Sequence, residues 1–155
     1  QYLDSPIGRL RLVSDGAHIT RIEFENRYAF DPGDLEQDDP ALTACTAQLG
    51  EYFDGTRSEF DLPLAPGGTA FQQSVWRALA AIPYGAVKSY RDIATMLDKP
   101  KAVRAVGAAN GRNPIPIVVP CHRVIGSDGS LTGFAGGLEA KRVLLELEET
   151  ISSRQ

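Results

Sequence analysis

Asn113-Pro114-Ile115-Pro116-Ile117-Val118-Val119-Pro120-Cys121-His122-Arg123-Val124-Ile125-Gly126 is an apolar segment that carries one thiol into a polar pair. The run from Ile115 to Val119 reads as extended, because each proline removes a backbone donor and restricts the residue before it. It ends on a soft nucleophile beside an imidazole and a guanidinium. A free thiol titrates at about 8.5, so a neighbouring cation or base is the usual means of raising its thiolate fraction at neutral pH. Cys121 is therefore a candidate nucleophile with His122 as its partner. The competing reading is a small buried hydrophobe at the end of a strand. Adjacent side chains of a strand face opposite ways, so His122 reaches the Cys121 sulfur only through a bend in the chain or through a water.

N-terminal to this segment the pattern turns helical. Phe71, Val75, Leu79 and Ile82 recur at helical spacing, with Trp76 beside them as a core residue. Ser89-x-x-Asp92 offers a helix N-cap, after which Ile93, Ala94 and Leu97 share a face. Asp98-Lys99-Pro100 then turns the chain into a second helix from about Ala102. Two short helices joined by a tight turn predict a helix-turn-helix, a shape that many proteins use without binding nucleic acid. In the second helix, Val103-Arg104-Ala105-Val106-Gly107-Ala108-Ala109, small side chains let the backbone approach a surface closely, and Arg104 adds one cation.

Further back, Asp61-Leu62-Pro63-Leu64-Ala65-Pro66-Gly67-Gly68-Thr69 interrupts every period and marks a boundary. Before it, Leu10 to Ser14 and Ile19 to Phe24 alternate with period two about Asp15-Gly16, which predicts an antiparallel hairpin. The acidic stretch from Asp31 to Pro40 reads as a surface loop. Pro40 suits the first turn of a helix carrying Leu42, Cys45, Leu49 and Phe53, in which Cys45 is buried and inert. The expected fold class is α/β (α+β): residues 1–68 form a small N-terminal antiparallel-sheet domain with a helix, and residues 69–155 form a mainly helical domain carrying the helix-turn-helix and the reactive cysteine.

Charge divides at the same boundary. Residues 1–68 hold 5 Lys+Arg against 13 Asp+Glu, a local charge of −8, whereas residues 69–155 hold 11 against 7, a local charge of +4. Attraction to phosphate acts over a Debye length of about 8–10 Å, so a basic face on the second half tolerates an acidic first half. With 43% apolar residues in 155, the chain can bury one core or two small ones. No run is long and apolar enough for a membrane span and no signal pattern opens the chain, so a cytoplasmic protein is expected. His18 and His122 are the only histidines and there is no CxxC, which argues against a metal site, and nothing calls for a cofactor.

The reactive segment, followed by Leu131-Thr132-Gly133-Phe134-Ala135-Gly136-Gly137-Leu138 and Lys141-Arg142-Val143-Leu144-Leu145-Glu146-Leu147-Glu148, resembles the O6-alkylguanine-DNA alkyltransferases. The likeness extends back through Phe71-Gln72-Gln73-Ser74-Val75-Trp76, Ile82-Pro83-Tyr84-Gly85, Ser89-Tyr90 and Arg104-Ala105-Val106-Gly107; before residue 69 it is loose, chiefly Asp4 to Gly8 and Tyr52-Phe53-Asp54-Gly55. The resemblance implies stoichiometric, irreversible transfer of an alkyl group from O6-alkylguanine, and less well from O4-alkylthymine, to Cys121. It implies double-stranded DNA as partner, bound by a monomer through the minor groove. There Arg104, with Ala105 and Gly107 beside it, fills the gap left by a flipped nucleotide, and Tyr90 presses on a phosphate and donates to the purine. His122 passes the thiol proton through a water toward Glu148, and Asn113 steadies the turn. Read without the family, Glu148 is a solvated charge among Glu146 and Glu149, Asn113-Pro114 is a common turn pair, and Tyr90 is a surface aromatic. Arg123 is expected to make a structural or phosphate contact.

Base recognition is expected to rest on the carbonyls of Cys121 and Val124 and an N–H near Ala135, with Phe134 as an apolar wall. Family members frequently have tyrosine where Phe134 stands and serine where Ala135 stands, so lesion preference stays open. The zinc that some relatives carry in their N-terminal domain lacks ligands here. Two other functions remain in view: a lesion-binding protein without transfer, whose alkyltransferase-like members lack the cysteine, and an unrelated cysteine hydrolase.

Overall fold

A computed structural model describes residues 1–25 and 38–153. Three antiparallel strands, β1 (Tyr2–Ser5), β2 (Gly8–Ser14) and β3 (Ile19–Phe24), form a meander in which Leu10 lies opposite Phe24 and Leu12 opposite Ile22. All four are buried, as the alternation predicts. β1 is not legible as a strand in the sequence: four residues ending in Asp4-Ser5 carry too little apolar signal. It exists because Gly8, at φ 102, turns the chain back onto it. Between β2 and β3, Asp15 Oδ1 accepts from the N–H groups of Ala17 and His18, closing the turn. Of the expected loop from Asp31 to Pro40, residues 31–37 lie outside the described residues.

Helix α1 (Pro40–Phe53) starts as expected, with Pro40 at its first position and Asp39 Oδ1 accepting from Leu42 N–H at 2.9 Å. Its inward face is Ala41, Leu42, Cys45, Leu49 and Tyr52. Phe53 is only half-buried, and Tyr52 goes to the core in its place. Helix α2 (Ala70–Ala80) follows the boundary and opens on a capping box of Thr69 and Gln72; α3 (Tyr90–Met96) opens on one of Ser89 and Asp92. Helix α4 (Val103–Gly111) completes the helix-turn-helix, and Trp76 of α2 donates its indole N–H to the Ala109 carbonyl at 2.9 Å. The last helix, α5, spans Leu138–Ser152. Among the described residues no helix is long and apolar enough to cross a membrane.

The segment from Ile115 to Val119 is not the extended strand its composition suggests. Ile117 adopts φ 74, the left-handed region that a β-branched residue enters only under constraint, and the chain folds on itself so that Pro116 bridges Val119. Cys121–Arg123 then winds into a 3-10 turn. The constraint comes from both sides. Ile115, Ile117 and Val119 are buried, and Ile22 N–H donates to the Pro114 carbonyl at 2.9 Å, tying the free edge of β3 to this segment. Pro63 and Ala65 cover the start of the same edge through Ile19 at 2.8 and 2.9 Å.

Candidate active site

Two short strands set the site's frame. β4 (Lys88–Ser89) runs parallel to β5 (Val124–Ile125), so the start of α3 lies beside the end of the 3-10 turn. Tyr90 is thereby placed next to the segment that carries Cys121, and its hydroxyl shares a 2.8 Å hydrogen bond with Thr132 Oγ1. Gly107 of α4 faces the Tyr90 ring, whose nearest atom stands 3.9 Å from where a side chain at Gly107 would begin. Arg104 and Ala105 are exposed on α4. Thr132 has no sequence signature, since a hydroxyl in a glycine-rich loop gives no periodic signal.

Cys121 is buried, and burial pushes its thiol up to about 11, with the Asn113 amide and the Lys141 ammonium working in the opposite direction. Asn113 is fixed for that role. Its Oδ1 accepts from Ile115 N–H at 3.1 Å while its Nδ2 donates to the Val119 carbonyl at 2.8 Å. Both bonds bridge the strained turn, which goes beyond an ordinary Asn-Pro corner. Lys141 is wholly buried on α5, and its Nζ donates to the carbonyls of Val124 and Thr132, each at 2.6 Å. It has no carboxylate partner among the described residues, so its charge is compensated only by carbonyl dipoles, and burial lowers its pKa. A thiolate at Cys121 is the anion this ammonium lacks.

Glu148 is the hub of the site and is 1% exposed, so it is no solvated charge. Its Oε1 accepts from Arg123 Nε at 2.7 Å and Gly85 N–H at 3.3 Å. Its Oε2 accepts from His122 Nε2 at 2.6 Å, Tyr52 Oη at 2.6 Å and Arg123 Nη2 at 3.1 Å. Burial works against the charge, yet the bonds from His122 and Arg123 outweigh it and hold the carboxyl down to about 2. An ionised carboxylate only accepts, so Nε2 of His122 carries the proton in that contact. Burial lowers the His122 pKa, with the Glu148 carboxylate opposing that shift and the nearby charges of Arg123 and Lys141 reinforcing it. The neutral ring then leaves Nδ1 as a bare acceptor, and among the described residues this buried atom has no hydrogen-bond partner.

The structure brings Cys121, His122, Glu148 and Asn113 into one cluster. No hydrogen bond joins thiol to imidazole among the described residues, and the 3-10 turn supplies the bend that an extended strand could not. Arg123 is also buried; besides Glu148 it donates to the Ile82 carbonyl at 2.7 Å, so of the two contacts expected for it the structural one is made and a phosphate contact is out of reach. Phe134 stands edge-on to Phe24 of β3 with centroids 5.4 Å apart, and Ala135 lines a cavity of about 320 Å³ with Asn113 and Pro116. The Cys121 carbonyl already accepts from Val124 N–H and the Val124 carbonyl from Lys141, so each has one lone pair left for a base. Among the described residues no group of His, Cys, Asp and Glu could hold a metal ion.

Sequence reasoning missed Lys141 and Tyr52. The α5 spacing held a signal for the first: Ala140, Leu144 and Glu148 recur every fourth residue on a buried face, and Lys141 adjoins it. A lysine and a glutamate on an otherwise apolar stripe mark buried charge.

Comparison with known proteins extends over nearly the whole chain. Residues 70–150 match the family model for the 6-O-methylguanine DNA methyltransferase DNA binding domain, and residues 1–66 match that for its ribonuclease-like domain. A methylated-DNA–protein-cysteine methyltransferase of Haemophilus influenzae is 50% identical over 151 residues, covering 96% of this chain and 84% of the relative. One of the same name from Methanosarcina barkeri is 48% identical over 150 residues, covering 95% and 94%. Among solved structures, Mycobacterium tuberculosis OGT in complex with DNA superposes with a TM-score of 0.88 at 47% identity, covering 97% of this chain and 92% of that one.

Proposed function

Because the chain belongs to the 6-O-methylguanine DNA methyltransferase family, we propose that it repairs DNA by taking the alkyl group of O6-alkylguanine onto Cys121, once per molecule. The observation that carries this reading is the buried Cys121 thiol set between the Asn113 amide and the unpaired Lys141 ammonium, with a proton acceptor in the same turn at His122 Nδ1. Attack by the sulfur on the alkyl carbon forms a C–S bond as the C–O bond to the base breaks. The thiol proton passes through a water to His122 Nδ1, and the guanine leaves with the C–O electron pair and takes a proton from the Tyr90 hydroxyl, which recovers one from water. A thioether is not displaced by water at neutral pH, so the molecule is spent.

Glu148 then balances the imidazolium, and Asn113 holds the turn on which Cys121 sits. Residues 69–155 are read as the DNA-binding and acceptor unit, residues 1–68 as the unit packed behind it. Arg104, Ala105 and Gly107 of α4 would enter the minor groove of double-stranded DNA, with Arg104 taking the place of the flipped nucleotide. Tyr90, Val124, Phe134 and Ala135 would line the pocket, O4-alkylthymine being a poorer substrate. A reduced thiol suits a monomer working in the cytoplasm. Intact-protein mass after mixing with duplex DNA containing O6-methylguanine tests this. One methyl on Cys121 and a plateau at one lesion per molecule are expected, and Cys121→Ser should bind DNA without transfer. An unchanged mass with retained binding would leave a lesion-binding protein, and turnover without an adduct would leave a hydrolase.

A further inference from the structure

We infer that Tyr52, on the N-terminal helix α1, is a positioning residue for alkyl transfer: its phenol shares Glu148 Oε2 with His122, limits the negative charge offered to the imidazole, and keeps Nδ1 free to take a proton. This rests on Cys121 being the alkyl acceptor and adds a link from the first half of the chain to the reactive turn. Tyr52 and Glu148 are 96 residues apart in sequence, and both are shut off from solvent. The two closest donors, each at 2.6 Å, meet on one oxygen that also takes a longer bond of 3.1 Å from Arg123 Nη2. A carboxylate that gives density to the phenol gives less to the imidazole, so the two compete for one charge.

The phenol is a permanent member of that competition. Burial, with the Glu148 charge adding to it, pushes the Tyr52 pKa well above the ordinary tyrosine value, so the hydroxyl remains a donor at any working pH. Its ring is locked: Phe53, Phe60 and Tyr84 stand around it with centroids at 5.3, 5.6 and 6.1 Å. The other titratable or charged groups bearing on the pair are Tyr84, ahead of β4, Arg123 in the 3-10 turn, and Lys141 on α5. Arg123 is bonded to both Glu148 oxygens and anchored on the Ile82 carbonyl, and so is a fixed charge in every variant; Lys141 is held by two carbonyls, and the Tyr84 hydroxyl has no hydrogen-bond partner among the described residues. Tyr52 is thus the neutral donor whose removal changes the Glu148 charge available to His122 while leaving every formal charge in place.

The chain offers a direct readout, because it has two histidines and His18 is exposed on the hairpin turn as an internal reference. Imidazole NMR titration of Tyr52→Phe should show His122 taking its proton about one pH unit higher than in the parent protein, with His18 unmoved. The acid limb of single-turnover methyl transfer should rise in step. 3-Fluorotyrosine at position 52, a stronger donor, should move both in the opposite direction. In a Glu148→Gln background Tyr52→Phe should shift neither, since the shared charge is gone. An unmoved His122 in both position-52 variants, with lowered thermal stability alone, would reduce Tyr52 to a packing residue and overturn the inference. A parent protein that forms no adduct on Cys121 would instead overturn the proposed function, and the His122 titration would still report on Tyr52.

Discussion

The Arg123 guanidinium grips the Glu148 carboxylate through Nε at 2.7 Å and Nη2 at 3.1 Å, so the residue two positions after the thiol fixes the hub of the site. Such a bidentate pair supplies geometry as well as energy. Burial is the main cause that lowers the His122 pKa; Glu148 opposes it, and the Arg123 charge beside that carboxylate adds to the lowering.

Acid should destabilise the protein in two steps. The His122 pKa lies below the ordinary histidine value of 6.5, so the unfolded chain gains a proton first and stability falls as pH drops through that value. Glu148 is held at about 2 against an ordinary 4.5, so its contribution is present above 4.5 and disappears as pH falls toward 2. That second step is on the order of 3 kcal/mol. Urea unfolding from neutral to acid pH should show both, and Glu148→Gln should flatten the lower one while lowering stability at neutral pH by exposing Arg123 to a neutral partner.

Lys141 is expected to govern the thiol. In Lys141→Met the cation that favours the Cys121 thiolate is lost, so the thiol should titrate above its present value of about 11. A thiol that titrates one pH unit higher holds about tenfold less thiolate at neutral pH, and transfer should slow accordingly. Thiol alkylation rate against pH, run beside single-turnover repair, checks this. Slowed repair with the thiol titration unmoved would mean that Lys141 acts only by holding the carbonyls of Val124 and Thr132.

Selective chemistry at the two cysteines follows from the same burial argument. Cys45 is fully buried and burial alone pushes its thiol up to about 12, with no neighbouring group opposing it. Iodoacetamide at neutral pH should therefore modify Cys121 first and Cys45 only on unfolding. Peptide mapping of partly labelled protein gives the answer, and labelling of Cys45 in the folded state would contradict its inert role.

The hairpin, the capped start of α3 and the helix-turn-helix are legible because each is written in local spacing: Ser89-x-x-Asp92, the turn at Asp98-Lys99-Pro100, and alternation in β2 and β3. Cys121 and His122 are legible because a polar pair closes an apolar run. The turn at Ile117 is not, since its left-handed φ is imposed by burial and by Ile22 reaching Pro114, contacts made across the chain. Glu148 is masked by Glu146 and Glu149 on either side, and only its place every fourth residue after Ala140 and Leu144 on the α5 face points to burial. Tyr52 is hidden for a similar reason: next to Phe53 it looks like the lesser core residue, and only a buried acceptor 96 positions away makes its hydroxyl tolerable in the interior.

Arg104 supplies the sharpest test of how DNA is engaged. It is exposed on α4, whose other outward residues Ala105, Ala108 and Gly111 are too small to hold a base stack apart. If Arg104 fills the space of the flipped nucleotide, its loss penalises transfer from duplex DNA, where a base must be extruded at a cost of a few kcal/mol. It should leave transfer from free O6-alkylguanine base unchanged, because no stack has to be opened. Arg104→Ala should also reduce the slope of binding against salt by about one phosphate contact at most. Single-turnover rates on duplex and on free base, measured side by side, decide the matter: equal losses on both would place the effect in the pocket, and no loss on duplex would remove Arg104 from the flipping step.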